Sequence, residues 1–319
     1  MTNQQIQSEA GELYHSPRGG AQPTKLKNPE ATRKRLPPWL KVKLPSDPQF
    51  IRTMWLLDEL GLETVCESAK CPNRSECWSR GTATVMIAGN RCTRACGFCA
   101  VQTDKPFPLE ADEPQRVAEA ISRMGLKHVV ITAVARDDLA DGGAEHFTRT
   151  IRAVRERSPE IVIEVLVPDF NGSQDGIETV LTERPDVFNH NIETVRRLTP
   201  TVRWRATYER SLEVLAYAKR AGKGAGIFTK SGLMLGLGER EGEVREALAD
   251  LRSVGCDLVT IGQYLQPTLR HLPVSEFVPP ERFAVWGDEA RTMGFTHVAA
   301  GPLVRSSYHA DDFVLSRKP

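Results

Sequence analysis

Six of the seven cysteines fall between Cys66 and Cys99, in two triplets of unequal spacing. Cys66, Cys71 and Cys77 read C-x4-C-x5-C in VCESAKCPNRSECW, and Cys92, Cys96 and Cys99 read C-x3-C-x2-C in GNRCTRACGFCA. The N-terminal stretch MTNQQIQSEAGELYHSPRGG has neither a basic nor an apolar leader region. A cysteine cluster in such a chain points to metal before disulfides, and to a reducing cytoplasm. Three thiolates neither close a tetrahedral zinc site nor fully ligate a four-iron cluster. On a [4Fe–4S] cluster the shortfall leaves one iron open to a small chelator carrying an amine and a carboxylate. Zinc is the alternative at each triplet, as a stapled loop or a knuckle with a distant fourth ligand. Cys256 stands apart in VGCDLV, beside a strand pattern, and reads as a buried structural thiol.

The Cys92 triplet directly follows an apolar run at 83–88, so it occupies a loop at the C-terminal end of a strand. That is the catalytic edge of parallel α/β folds. Location, spacing and Phe98 before the last cysteine resemble the radical S-adenosylmethionine superfamily. There the methionine end of S-adenosylmethionine chelates the open iron, and an electron from the cluster releases a 5′-deoxyadenosyl radical. The two triplets in this order, together with RSSYHA at 305–310, resemble the lipoyl synthase family over about 36–313. The resemblance implies that Cys66, Cys71 and Cys77 hold an auxiliary [4Fe–4S] cluster whose ligation a serine completes. Ser307 is the expected ligand and Ser306 the alternative. Alkoxide is a harder ligand than thiolate, so iron held that way is lost more readily, which suits a cluster dismantled for its sulfur.

Other strand-end positions fit a ligand site. In ARDDLADGGAEHF, Gly142 and Gly143 resemble the superfamily's Gly-Gly-Glu element, which meets the ligand's amino group. Ala144 stands where that pattern has Glu, so the contact is expected from backbone or from Asp141. A glycine turn into a helix is the competing reading. Asn189, Asn191 and Glu193 alternate in FNHNIETV and should share one side of an extended segment. Polar groups on the inner face of a barrel strand need partners, and a polar ligand would supply them. Lys230 and Ser231, GLGE at 236–239 and GQYLQP at 262–267 end later strands similarly, with ordinary loop chemistry as the alternative.

These residues must be carried by an alternating scaffold. Apolar residues make up 40% of the 319 and charged residues 26%, as in ordinary globular proteins. The net charge of +1 gives no global field favouring nucleic acid or membrane, and no apolar run approaches a bilayer span. Residues 1–36 lack periodicity and read as disordered, 37–81 as an N-terminal extension with the auxiliary cysteines, and 82–319 as the barrel with its RSSY tail. In 48–61, Ile51, Trp55, Leu56 and Leu60 share a helical face. Val/Ile-rich runs at 83–88, 128–133, 160–167, 186–192, 225–235 and 257–263 read as parallel strands buried on both faces. Helical patterns lie near 113–124, 143–157, 174–183, 207–221 and 239–254. Pro114 marks a start, and Gly125, Gly222 and Gly255 mark stops. Six βα units imply a parallel α/β sheet with right-handed crossovers, and the resemblance favours a partial (β/α)6 TIM-like barrel over a doubly wound sheet.

The resemblance further implies a sulfurtransferase activity: insertion of two sulfurs, at C6 and C8, into an octanoyl group held on a lysine of a lipoyl-carrier protein. Two S-adenosylmethionines are consumed per lipoyl group. Expected partners are the lipoyl domain of a 2-oxoacid dehydrogenase or the glycine cleavage H protein, a reductant such as flavodoxin or ferredoxin, and cluster-repair proteins. The basic stretch Lys25, Lys27, Arg33, Lys34, Arg35, Lys41 and Lys43 could dock an acidic carrier, or be a solvated tail. Competing classes are a methylthiolating or biotin-forming radical enzyme, for which RSSYHA with this first triplet is not expected, and a non-enzymatic metal protein. No Ser-His-Asp arrangement, P-loop or dinucleotide fingerprint is present.

Overall fold

A computed structural model describes residues 34–42, 47–80 and 82–307. The expected disordered segment lies almost wholly outside the described residues, as do Lys25, Lys27, Arg33 and Lys43 and positions 308–310 of the RSSYHA segment. The strands are β1 Glu63–Thr64, β2 Thr84–Ile87, β3 Arg91–Cys92, β4 Gln102–Thr103, β5 His128–Ala133, β6 Val162–Leu166, β7 Val187–Asn189, β8 Phe228–Leu235, β9 Leu258–Gln263 and β10 His297–Gly301. The main sheet runs β1-β2-β5-β6-β7-β8-β9-β10, with only β1 antiparallel to its neighbour. No ladder joins β2 to β10 among the described residues, so the barrel is partial, as expected.

The sequence pattern gave six parallel strands and the sheet has seven. The helix Pro280–Thr292 and strand β10 add a further unit. HVAAG carries one β-branched residue and small alanines, so its strand signal is weak. Elsewhere alternation sorts the walls. Val85, Ile87, Val129, Ile131, Ile163 and Val165 face outward into one core with Val117, Ile121, Phe147, Ile151 and Val180 of the covering helices. Leu233, Leu235, Val259 and Ile261 do the same with Leu215, Leu248, Leu251 and Phe283. Each such side chain contributes about 1.5–3 kcal/mol by leaving water. The alternate set, including Thr84, Met86, Val130 and Leu166, faces the lumen. Gly125 ends the helix Glu113–Met124 in the left-handed region, whereas the helix Tyr208–Gly222 includes Gly222 and the left-handed stop comes at Gly226.

The N-terminal extension shares the barrel's core rather than standing apart: Phe50, Leu57, Leu62, Cys66 and Trp78 belong to the same apolar cluster as β2 and β5. Asp47 caps the helix Pro48–Glu59 by accepting from Gln49 N at 2.7 Å. The expected face is corrected here. Ile51 and Trp55 are 39% and 65% exposed, and the helix buries Phe50, Thr53 and Leu57 instead. Trp78 turns it: Phe50 packs on the indole with centroids 5.3 Å apart, and Thr53 Oγ1 donates to Trp78 O at 3.0 Å. Cys256 is fully buried.

Candidate functional site at the barrel mouth

All six cysteines of the two triplets line one cavity of about 420 Å³, together with Phe98, Asn191, Glu193, Ser306 and Ser307. The Cys92 triplet lies in a loop stitched to three neighbours. β3 and β4 pair across its base, and Asp104 N donates to Cys92 O at 3.2 Å. Gly97 N donates to Val202 O at 2.8 Å, while Leu272 N donates back to Gly97 O at 3.0 Å. Glycine suits the close approach at position 97, because a Cβ there would stand 2.9 Å from the Leu272 side chain and push it aside. Arg94, only 7% exposed, pairs with Asp137 and Asp169 at 2.7 Å each, and its backbone N–H points at Cys92 Sγ at 3.4 Å. The guanidinium holds the Asp137 carboxyl down at about 2.

The Cys66 triplet winds through short local turns. Thr64 caps the turn Val65–Ser68, Cys71 N donates to Cys66 O at 3.0 Å, and Cys77 N donates to Asn73 O at 2.9 Å. Thr82 Oγ1 donates to Cys77 O at 3.0 Å, and further contacts come from the far end of the chain. Asn73 Nδ2 donates to Leu303 O at 2.6 Å, and Thr84 Oγ1 donates to Ser307 Oγ at 2.7 Å. Half-buried Arg305 stands beside Cys71 and opposes the rise that burial imposes on its thiol.

Burial pushes every one of these thiols up: Cys66 and Cys96 to about 11, Cys77 and Cys99 to about 12, and Cys71 and Cys92 in the same direction. Neighbouring cysteines add to the rise at Cys66, Cys77, Cys96 and Cys99. Metal binding would therefore release protons from each triplet. Among the described residues no three His, Cys, Asp or Glu side chains close on the position of a single ion. Soft thiolates spread along the wall of a largely apolar cavity fit iron–sulfur clusters in donor chemistry. Among the buried polar atoms on that wall, Asn73 Oδ1, Asn191 Oδ1 and Arg203 Nε lack a protein partner, as a site built for a polar ligand would leave them.

The remaining sequence candidates divide. Asn191 Nδ2 donates to Glu193 Oε1 at 3.0 Å and both reach the cavity. Glu193 adopts φ +63° just past the strand, and burial raises its carboxyl while Arg203 opposes the rise. Asn189 faces inward as alternation requires but lies one layer deeper. It donates to Glu164 Oε1 at 2.8 Å, beside Lys230, whose Nζ meets both Glu164 oxygens at 2.9 and 3.0 Å. That buried ion pair forms a floor and leaves Asn189 and Lys230 out of the cavity wall. Ser231 accepts from Ile192 N at 3.2 Å, on the opposite face. Asp141, Gly142 and Gly143 form the entry to the helix Ala144–Arg157: Asp141 accepts from Gly143 N at 3.0 Å and Glu145 N at 2.8 Å. Glu239 caps its own loop, and the Gln263 amide braces Leu235, Tyr264 and Glu276.

Sequence reasoning missed Arg94, Arg203, Arg305 and Thr84. Arg203 is 4% exposed, donates to Asn191 O at 2.8 Å, and lies close enough to Cys96 and Glu193 for their charges to favour its own. Arginines in RCTRAC and TVRWRA read as solvated charge; Arg94 could have been marked by its place between Cys92 and Cys96, and Arg203 had no such signal.

A family model described as the Radical SAM superfamily matches residues 86–251, and one described as the N-terminal domain of lipoyl synthase matches 16–71. The lipoyl synthase of Nitrosococcus oceani is 56% identical over 284 residues, covering 89% of this chain and 87% of the relative. That of Thermus thermophilus is 55% identical over 288 residues, covering 89% and 88%. Among solved structures, methylornithine synthase superposes with a TM-score of 0.52 at 13% identity, over 79% of this chain and 82% of that one, which speaks to fold alone. Identity above one half across most of both lengths, on a radical S-adenosylmethionine barrel bearing both cysteine triplets, places the chain in the lipoyl synthase family.

Proposed function

We propose that the cavity inserts sulfur at C6 and C8 of an octanoyl group presented on a lysine of a lipoyl-carrier protein. Bound there, two [4Fe–4S] clusters and S-adenosylmethionine supply the radical and the sulfur. Cys92, Cys96 and Cys99 hold the cluster that S-adenosylmethionine completes, and Cys66, Cys71, Cys77 and Ser307 hold the auxiliary one. The observation that carries this reading is that two incomplete thiolate sets and a serine open onto one cavity. Met86, Val130, Leu166 and Met234 give that cavity an apolar inner wall suited to an alkyl chain.

The chain's own residues then bind, orient and exclude water. Asn191 Oδ1 and Arg203 Nε offer an acceptor and a donor to the polar end of S-adenosylmethionine. Glu193 and Phe98 border the same region. Asp141, Gly142 and Gly143 act by fixing the start of a helix. Hydrogen-atom transfer needs no general acid or base, and none is assigned. A lipoyl domain or H protein would deliver the acyl lysine, and flavodoxin or ferredoxin the electron. Repair proteins would rebuild the auxiliary cluster. Lys34 and Arg35 belong to the stretch read as a dock for an acidic carrier, although Lys34 Nζ already donates to Ser275 O at 2.7 Å. Unchanged carrier affinity and salt dependence after neutralising Arg33, Lys34 and Arg35 would remove that role. No helix among the described residues is long and apolar enough to cross a membrane, and a cytoplasmic setting is the one that keeps the thiols reduced.

Anaerobic incubation of the fully loaded enzyme with an octanoyl-lysine peptide, S-adenosylmethionine and reductant tests the reading. The peptide should gain two sulfurs with the loss of two hydrogens, read as mass. Unchanged peptide mass, with both clusters intact at the start, overturns it.

A further inference from the structure

Residues 304–307 line the lumen, beside strands β8 and β9. Two strand glycines make room for them. A Cβ on Gly262 would stand 2.1 Å from Val304 O. One on Gly232 would stand 2.5 Å from Thr260 Oγ1, 3.0 Å from Asn191 Oδ1 and 3.3 Å from Ser306 Oγ. In that space Ser306 Oγ accepts from Asn191 Nδ2 at 2.6 Å, against the wall formed by β7 and β8. The next residue reaches the other wall, where Ser307 Oγ accepts from Thr84 Oγ1 on β2 at 2.7 Å. A trans peptide fixes adjacent Cα atoms about 3.8 Å apart, so anchoring one serine decides where its neighbour is aimed.

We propose that Ser306 is a positioning residue: its hydrogen bond to Asn191, in the space left by Gly232, holds the tail so that Ser307 faces the Cys66–Cys71–Cys77 triplet. Ser306 itself touches no iron. The inference rests on the reading that Ser307 completes the auxiliary site. Because Asn191 also binds Glu193, the anchor belongs to the half of the cavity that holds the Cys92 triplet.

The full-length enzyme, reconstituted anaerobically with both clusters, is challenged with a ferrous-iron chelator while iron release is followed by absorbance. Ser306→Ala should accelerate release of the most labile iron about fivefold to tenfold, the effect of one lost hydrogen bond. Cleavage of S-adenosylmethionine to 5′-deoxyadenosine should stay at the parent level. Ser306→Thr, which keeps the hydroxyl, should restore slow release, and does so from a folded protein even if the alanine variant is poorly behaved. Ser307→Ala is the control for the underlying reading. Fast release in Ser307→Ala with parent-like release in Ser306→Ala overturns the proposal and leaves the ligand assignment standing. Parent-like release in both overturns the ligand assignment and the proposal with it. Parent-like Ser307→Ala with fast release in Ser306→Ala makes Ser306 the ligand, which also overturns the positioning role.

Discussion

The two cysteine triplets share a cavity and are built in opposite ways. The Cys92 loop is held by backbone bonds and by buried charge: a two-strand ladder, bonds to Val202 and Leu272, and Arg94 between Asp137 and Asp169. The Cys66 segment is held by apolar packing against the helix Pro48–Glu59, by the half-exposed Arg74–Glu67 pair and by neutral hydrogen bonds, one of them from Asn73 to Leu303, 230 positions away. A site that must survive every turnover is tied by a buried charge network, and one whose metal must leave is tied by packing and neutral bonds. Charged networks in low dielectric are costly to disrupt, whereas one neutral hydrogen bond is worth about 1 kcal/mol.

The largest expected break in this contrast is Cys96→Ala. It should abolish 5′-deoxyadenosine formation while the other triplet keeps its iron, so that iron content falls by about half of the roughly eight expected per chain. Loss of all iron would show that the two sites do not load independently. Next is Asp169→Asn. Leaving Arg94 half-paired at 1% exposure of its partner should destabilise the barrel by about 3–5 kcal/mol in chemical denaturation.

Acid should act on the same side of the molecule. His190 is buried against Val167 O and Ser211 Oγ, and burial lowers its imidazole to about 4. The unfolded chain takes up this proton near pH 6.5 and the native one only near 4. Stability from this group is therefore full above about 6.5 and falls as pH drops through the window, by roughly 3 kcal/mol in all. His190→Gln should flatten that slope in denaturation measured across pH 4–7. The smallest effect is Asn73→Ala, which leaves the Leu303 carbonyl without its 2.6 Å partner. It should cost about 1 kcal/mol and weaken iron retention at the Cys66 triplet alone. An equal loss at both triplets would erase the distinction between a framed site and a tethered one.

Much of this architecture was legible before any coordinates. Thiolate spacing is chemical information carried in a few adjacent residues, and strands buried on both faces appear as continuous Val/Ile runs. What was not legible depended on long-range geometry. The helix Pro48–Glu59 offers two apolar stripes, and only the position of Trp78 selects Phe50 and Leu57 over Ile51 and Trp55. Alternation correctly turned Asn189, Asn191 and Glu193 toward the lumen but could not show that Glu164 and Lys230 take up the first. Arg94 and Arg203 were silent because a buried arginine and a solvated one look alike until their carboxylates are found. The meeting of 303–307 with the Cys66 loop was suggested by family resemblance alone.

That meeting imposes an order on biosynthesis. Asn73 emerges from the ribosome 230 residues before Leu303, its hydrogen-bond partner. At ordinary translation speeds of about 5–20 residues per second, the interval is roughly 10–50 s. For that time the Cys66 loop lacks Leu303 and its neighbours, while the Cys92 loop gains Val202 and then Leu272 along the way. Nascent chains should thus complete the backbone frame of the second cysteine set before the Asn73–Leu303 bond can form.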